Sequence, residues 1–158
     1  MRHLLVTYAL IYANGQAHLG HLLGFIQTDI FCRFQKMRGN RCFYICGADM
    51  HGTPIMIRAQ EKGLAPADMA HGMAKAQWAD FQQFHIQFDE FYHTDSKENR
   101  ALSYEFYRKL EAKGDILRQT ISQAFDEEKQ MFLPDRFIKG TCPACKTADQ
   151  YGDSCEHC

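Results

Sequence analysis

Three groups of residues in this chain have the types and the spacing to do chemistry. His18 and His21 lie three apart around Gly20, in "QAHLGHLLG". At the start of a helix they would share one face of the first turn. Unpaired backbone N–H groups and a partial positive charge gather there, a setting that suits phosphate. Gly20 has no Cβ, so a ligand can come close to the backbone. The alternative for a bare H-x-G-H is two ordinary polar residues at a helix start. Metal ligation by the pair lacks a third ligand nearby in sequence. The second group centres on Asp49, in "GADMHG", a carboxylate placed to meet a cationic amine or to cap a local turn. The third is "CPACKTADQYGDSCEHC", where Cys142, Cys145, Cys155 and Cys158 form C-x2-C-x9-C-x2-C. Two such pairs can close a tetrahedral zinc site, one Zn²⁺ per chain. The alternatives are a redox dithiol pair or no ligand. His157 is a conceivable substitute ligand. His51 and Thr53 are weaker candidates: Thr53 reads as a helix N-cap and His51 as a residue that packs or positions the loop.

The elements that must place these groups can be read from periodicity. His3–Ala9 reads as a buried strand, and Leu10–Ala17 as a loop with an Asn14-Gly15 turn. Leu19, Leu22, Leu23, Ile26, Ile30 and Phe34 recur at helical spacing and predict one apolar face of a helix that ends near Gly39. Cys42–Gly47 reads as a second buried strand. Thr53-Pro54 opens a helix that stops at Gly63, and another runs from Pro66 to about Phe84. "FDEFYHT" is a short third strand, and Asp95 with Glu98 forms a capping-box pattern for a helix closed by Gly114. The order β-α-β-α-α-β-α predicts an α/β fold, a Rossmann-like parallel sheet with crossover helices. Both the histidines and Asp49 then follow strands, at carboxyl ends where open parallel sheets bind ligands.

After Gly114 the texture changes. "ILRQTISQAF" and "MFLPDRFIKGTC" alternate like short antiparallel strands, and the cysteine segment is polar and turn-rich. The expected domains are 1–115 and 116–158. Bulk properties set limits. With 158 residues and a formal net charge of -1, the chain is no strongly basic nucleic-acid binder. No apolar run approaches the roughly 18 residues of a membrane span. The amino-terminal run lacks a clear cleavage site, so the expected location is cytoplasmic. Cys32, Cys42 and Cys46 read as buried small hydrophobes. "RFQKMRGNR" reads as a solvated helix end rather than an RNA patch. Trp78, Phe81, Phe84 and Phe88 read as core rather than a stacking platform.

Taken together, "YANGQAHLGH", "HGTPI", "TISQAFD", "MFLPDRFIKGTCPAC" and "DQYGDSCEHC" resemble bacterial methionyl-tRNA synthetases, among the class I aminoacyl-tRNA synthetases, and "HLGH" resembles their HIGH motif. The resemblance covers essentially the whole chain. It implies the first half of a catalytic domain (1–115) and the start of a connective insertion with a zinc knuckle (116–158). It implies that His18 and His21 are catalytic and, with Gly20, bind ATP, which would bring Mg²⁺. It implies that Ala9, Leu10 and Tyr12 line a methionine pocket and that Asp49 holds the substrate α-amino group. ATP, methionine, tRNA(Met) and the remainder of the synthetase chain are the implied partners. Ile11 stands where the family usually has proline. The second, lysine-rich phosphate loop of the KMSKS type is not found in these residues. Two other readings stay open: another HIGH-type nucleotidyltransferase, and a non-catalytic zinc-ribbon module that binds RNA or protein.

Overall fold

A computed structural model describes residues 1–158. It divides into two compact units, Met1–Ala112 and Lys113–Cys158.

The first unit is a parallel sheet built around one strand, β3 (Arg41–Asp49). On one side β3 pairs with β1 (His3–Thr7) and, beyond a break at Tyr8–Leu10, with the two-residue β2 (Ile11–Tyr12). On the other side it pairs with β4 (Glu90–His93). The chain thus moves across the sheet in one direction. Right-handed crossovers then put the connecting helices on a single face. α1 (Leu19–Met37) links the first edge to β3, and α2 (Thr53–Glu61) and α3 (Pro66–Gln83) link β3 to β4. Leu22, Phe25 and Cys32 of α1 and Phe81 of α3 meet Cys42, Tyr44 and Cys46 of β3 in the main core. A second apolar cluster joins Ala13, Ala48, Met50, Ile55 and Ala70 at the carboxyl ends of the strands. No helix is long and apolar enough to cross a membrane.

This one-sided cover revises several sequence expectations. β1 is not a buried strand. It alternates, with Leu4 and Val6 half-buried and Leu5 69% exposed. β3 does the same: Cys42, Tyr44 and Cys46 point into the core while Phe43 and Ile45 stay exposed on the uncovered face. The loop expected at Leu10–Ala17 contains β2, and Ile11 is buried there beside Ala48. The apolar face expected for α1 is also displaced. Of its six residues only Leu22 is buried, and the packed stripe is Leu22, Phe25, Asp29 and Cys32. Leu19, Leu23, Ile30 and Phe34 are exposed. α1 is apolar on two sides, and periodicity cannot say which side meets the sheet.

Two helix starts differ as well. The N-cap of α2 is Gly52, at φ 116°, and Thr53 makes no cap hydrogen bond. α4 (Lys97–Lys113) is capped by the Ser96 hydroxyl, which accepts from the Asn99 amide, whereas Asp95 faces His71 and Arg100. α4 buries none of its residues. Of the four aromatics expected in the core, Phe81 is buried and Phe88 packs against it, but Trp78 and Phe84 are exposed. The basic segment after Phe31 serves the fold: Arg33 pairs with Asp29 and Lys36 with Asp89.

The second unit holds two small antiparallel ladders, shorter than the alternation suggests. β5 (Phe125–Asp126) pairs with β6 (Met131–Phe132), and β7 (Lys139–Gly140) pairs with β8 (Gln150–Tyr151). Asp126 closes the first hairpin by accepting from the amides of Glu128 and Lys129. Its flanking rings, Phe125 and Phe132, meet edge to face at 5.0 Å.

Candidate functional site

The two histidines open α1, and each is part of the helix start. His18 is the N-cap. Its Nδ1 accepts from the amides of Gly20 (3.1 Å) and His21 (3.4 Å). The Nδ1 of His21 accepts in return from the His18 amide at 3.4 Å. This is a capping box made from two imidazoles. The rings stack with centroids 3.7 Å apart. A Cβ on Gly20 would sit 3.0 Å from the His18 ring, so the glycine lets the imidazole fold over the first turn.

The chemistry follows from the bonds. In a neutral imidazole one nitrogen accepts and the other carries the proton. With both Nδ1 atoms accepting, each Nε2 carries N–H and is a donor. No acidic residue occupies the first turn to neutralise the positive helix end. Desolvation, and then the neighbouring His18, lower the His21 pKa below its ordinary 6.5. Near neutral pH the pair is a donor site at a positive helix terminus, suited to a polyanion.

The carboxyl end of β3 and the loop after it carry the second candidate group. Tyr12 and Asp49 are register partners on adjacent strands, so they stand side by side at the carboxyl edge of the sheet. The Asp49 carbonyl accepts from the Ala13 amide at 2.8 Å. Its carboxylate is half-buried and meets the Thr94 hydroxyl at 3.5 Å, and that hydroxyl accepts from the Met50 amide at 2.9 Å. The Tyr12 hydroxyl lies over Gly52, where a Cβ would be 2.7 Å away. Gly52 is therefore required twice, by its positive φ and by this contact. Ala9 and Leu10 lie in the break between β1 and β2, both exposed. Leu10 lines a cavity with Ala48, His93, Thr94 and Leu102. His51 is exposed nearby and makes no cap.

Two supporting side chains were not singled out from the sequence. Thr94 ties Asp49 to the start of the following loop. Gln77, fully buried on α3, donates from its amide nitrogen to the carbonyls of Tyr12 (3.0 Å) and Gly15 (2.7 Å). A sequence signal existed for Gln77: it is a polar residue in the inward row Ala70, Met73, Ala74, Gln77, Phe81. For Thr94 there was none, because its partners lie 44 and 45 residues away.

In the second unit the four thiols converge. Their Sγ atoms all lie within 4.8 Å of one another, with Cys142 and Cys158 at 3.8 Å and Cys145 and Cys155 at 3.6 Å. Zn–S bonds of about 2.3 Å in a tetrahedron put sulfurs about 3.8 Å apart. The donor set therefore fits a tetrahedral ion. All four cysteines are free. Hydrogen bonds with Thr147 pull Cys145 down to about 6, while the crowd of Cys155, Cys145 and Cys142 pushes Cys158 up to about 12. A bound cation would favour the thiolate form of the ligands. Backbone geometry builds the turns. The Cys142 carbonyl accepts from the Lys146 amide at 3.0 Å, and Lys146 adopts φ 63°. His157 is not among the converging groups.

Among known proteins, a profile described as tRNA synthetases class I (M) matches residues 4–158. A Mycobacterium tuberculosis methionyl-tRNA synthetase in complex with methionyl-adenylate superposes at TM-score 0.77 and 24% identity, over 96% of this chain and 31% of that one. Another structure of that organism's methionyl-tRNA synthetase, bound by methionyl-adenylate, gives 0.75 and 22%, with the same two coverages. The ternary complex of Agrobacterium radiobacter K84 agnB2 LeuRS with tRNA and LeuAMS gives 0.76 and 22%, over 95% of this chain and 20% of that one. Likeness at these identities is likeness of fold. The chain spans between a fifth and a third of these three solved chains. Because the profile runs over all but the first three residues, and its fold recurs in these synthetases, the chain belongs to the class I tRNA synthetases (M).

Proposed function

We propose that this chain is the amino-terminal part of a methionine–tRNA ligase, comprising the first half of the catalytic domain and the start of a connective insertion with a zinc knuckle. The observation that carries the reading is the imidazole capping box, which leaves two Nε2–H donors free of the helix start at a positive terminus. In the reaction the methionine carboxylate attacks the α-phosphorus of ATP and pyrophosphate leaves. The acyl group then passes from the adenylate to the terminal ribose of tRNA(Met). No protein nucleophile is required. Catalysis rests on positioning and on stabilising phosphate charge.

His18, Gly20 and His21 would hold the phosphates, and Asp49 would pair with the substrate ammonium. Ala9, Leu10 and Tyr12 would line the side-chain pocket. Methionine is favoured over other amino acids by the sequence motifs and by the family's designation. Mg²⁺ would arrive with ATP. Zn²⁺ would sit in the closed cysteine site, where no coordination position is left for substrate, so its role is structural. ATP–pyrophosphate exchange by the full-length protein, run with each of the twenty amino acids, tests the reading. Exchange dependent on methionine supports it. Exchange with another amino acid corrects the substrate, and no exchange with any of them overturns the ligase assignment.

A further inference from the structure

Between the Tyr12 edge of the sheet and the histidine helix runs a short loop, Tyr12–Gly15, whose carbonyls are held largely by side chains. Gln77 Nε2 donates to the Tyr12 and Gly15 carbonyls. Arg58 donates from the surface to the Asn14 carbonyl at 2.9 Å. Gln77 is fully buried, and its Oε1 has no hydrogen-bond partner. A buried acceptor without a donor is a cost to stability, so packing alone does not account for an amide at this position. What the amide provides is location. Two donors on one rigid group, carried by a long helix, tie down the loop that follows Tyr12, in addition to the backbone bond from the Ala13 amide to the Asp49 carbonyl.

The two imidazoles are oriented against the first turn of α1 by their own capping box, and no bond from Gln77 reaches them. The two halves of the site are therefore held by different devices. We infer that Gln77 is a positioning residue for the amino-acid half of the site: it sets the Tyr12–Gly15 loop, and through it the aromatic wall beside Asp49, without setting the phosphate half. This inference rests on the synthetase reading above.

The test uses the full-length enzyme. Gln77→Met keeps the length and shape of the side chain and removes both donors. In ATP–pyrophosphate exchange the amino-acid KM should rise about ten- to a hundredfold, as for a wall displaced by about an ångström. The KM for ATP should stay within about twofold, since the capped histidines are unmoved. A merely structural role would lower the titratable fraction of active enzyme and leave both KM values alone, and that result overturns the inference. Equal increases in both KM values overturn it too. Gln77→Asn serves as a second variant should Gln77→Met fail to fold. It keeps the amide but is one methylene short of spanning both carbonyls, and a several-fold rise confined to the amino-acid KM is expected. An unchanged amino-acid KM in Gln77→Asn then counts against the inference. Absence of amino-acid-dependent exchange in the unsubstituted enzyme overturns the synthetase reading itself, and the inference with it.

Discussion

At the scale of single residues, the capping box makes His18 and His21 mutually dependent. Desolvation is the larger cause of the lowered His21 pKa, and the charge of His18 is the smaller. An NMR titration of the imidazole protons should therefore place His21 below 6.5. His18→Ala removes both the charge and the stacked ring, and should restore only part of the shift, because the rest of the helix start still desolvates His21. A full return to the ordinary value would show that His18 alone sets it. The sign for stability follows. A histidine whose folded pKa lies below its unfolded value binds protons more readily when unfolded. Its effect is to reduce stability as the pH falls through 6.5 toward the lowered value. In the complete enzyme, His18→Ala or His21→Ala should slow adenylate formation by roughly a hundred- to a thousandfold, the usual cost of a lost charge-stabilising donor. Methionine affinity should change far less. Stopped-flow adenylate formation separates the two, and near-normal rates in both variants would contradict the phosphate role.

Elements show how local rules bend to packing. Gly24 sits inside α1, where glycine ordinarily costs about 1 kcal/mol relative to alanine. Here a Cβ would lie 2.0 Å from the Tyr8 hydroxyl oxygen and 2.2 Å from its Cζ, because the Tyr8 ring lies against the helix and meets Phe25 edge to face. Gly24→Ala should therefore destabilise by about 1–3 kcal/mol through overpacking, despite the better helix propensity. Adding Tyr8→Ala should remove the clash. A double-mutant cycle by urea denaturation would read the coupling, and additive effects would refute the contact. The cysteine turns carry their own prediction. Protein purified without chelator should hold about one zinc ion per chain. Chelation should raise hydrogen exchange in Lys113–Cys158 and leave the β3 amides protected. Metal analysis that finds no zinc would reject the site.

For the whole molecule, the feature with the widest consequence is the bare side of the sheet. Leu5, Phe43, Ile45 and Tyr92 are exposed there, and α4 leaves Leu102, Phe106 and Leu110 exposed. Apolar surface on this scale favours association or partial order. On the proposed ligase reading, a second phosphate loop of the KMSKS type, which is not found in these residues, would complete the site. Charge on the departing pyrophosphate would be stabilised from one side only. The 158-residue chain by itself should thus give negligible methionine-dependent ATP–pyrophosphate exchange beside the full-length protein at equal concentration. Comparable rates would mean that a complete site assembles within these residues.

How much of this was legible beforehand depended on range. The strand-helix order, the glycine that ends α1 at φ 77° and the spacing of the cysteines are local. Each is set by residues a few positions apart, so the sequence by itself determined the parallel α/β arrangement and the four-thiol group. The strand-loop-helix pattern likewise marked His18 and His21 as a pair at a helix start. Tertiary structure decided the rest. α1 has two apolar stripes, and only docking against the sheet and α3 selects Leu22, Phe25 and Cys32 over Leu19, Leu23 and Phe34. The uncovered face of β1 followed from three strands added in one direction, which put every packed helix on the same side. Asp49 met Thr94, and the Tyr12 carbonyl met Gln77, across 45 and 65 residues of chain. No periodicity records such pairs, because they form only when separate elements dock.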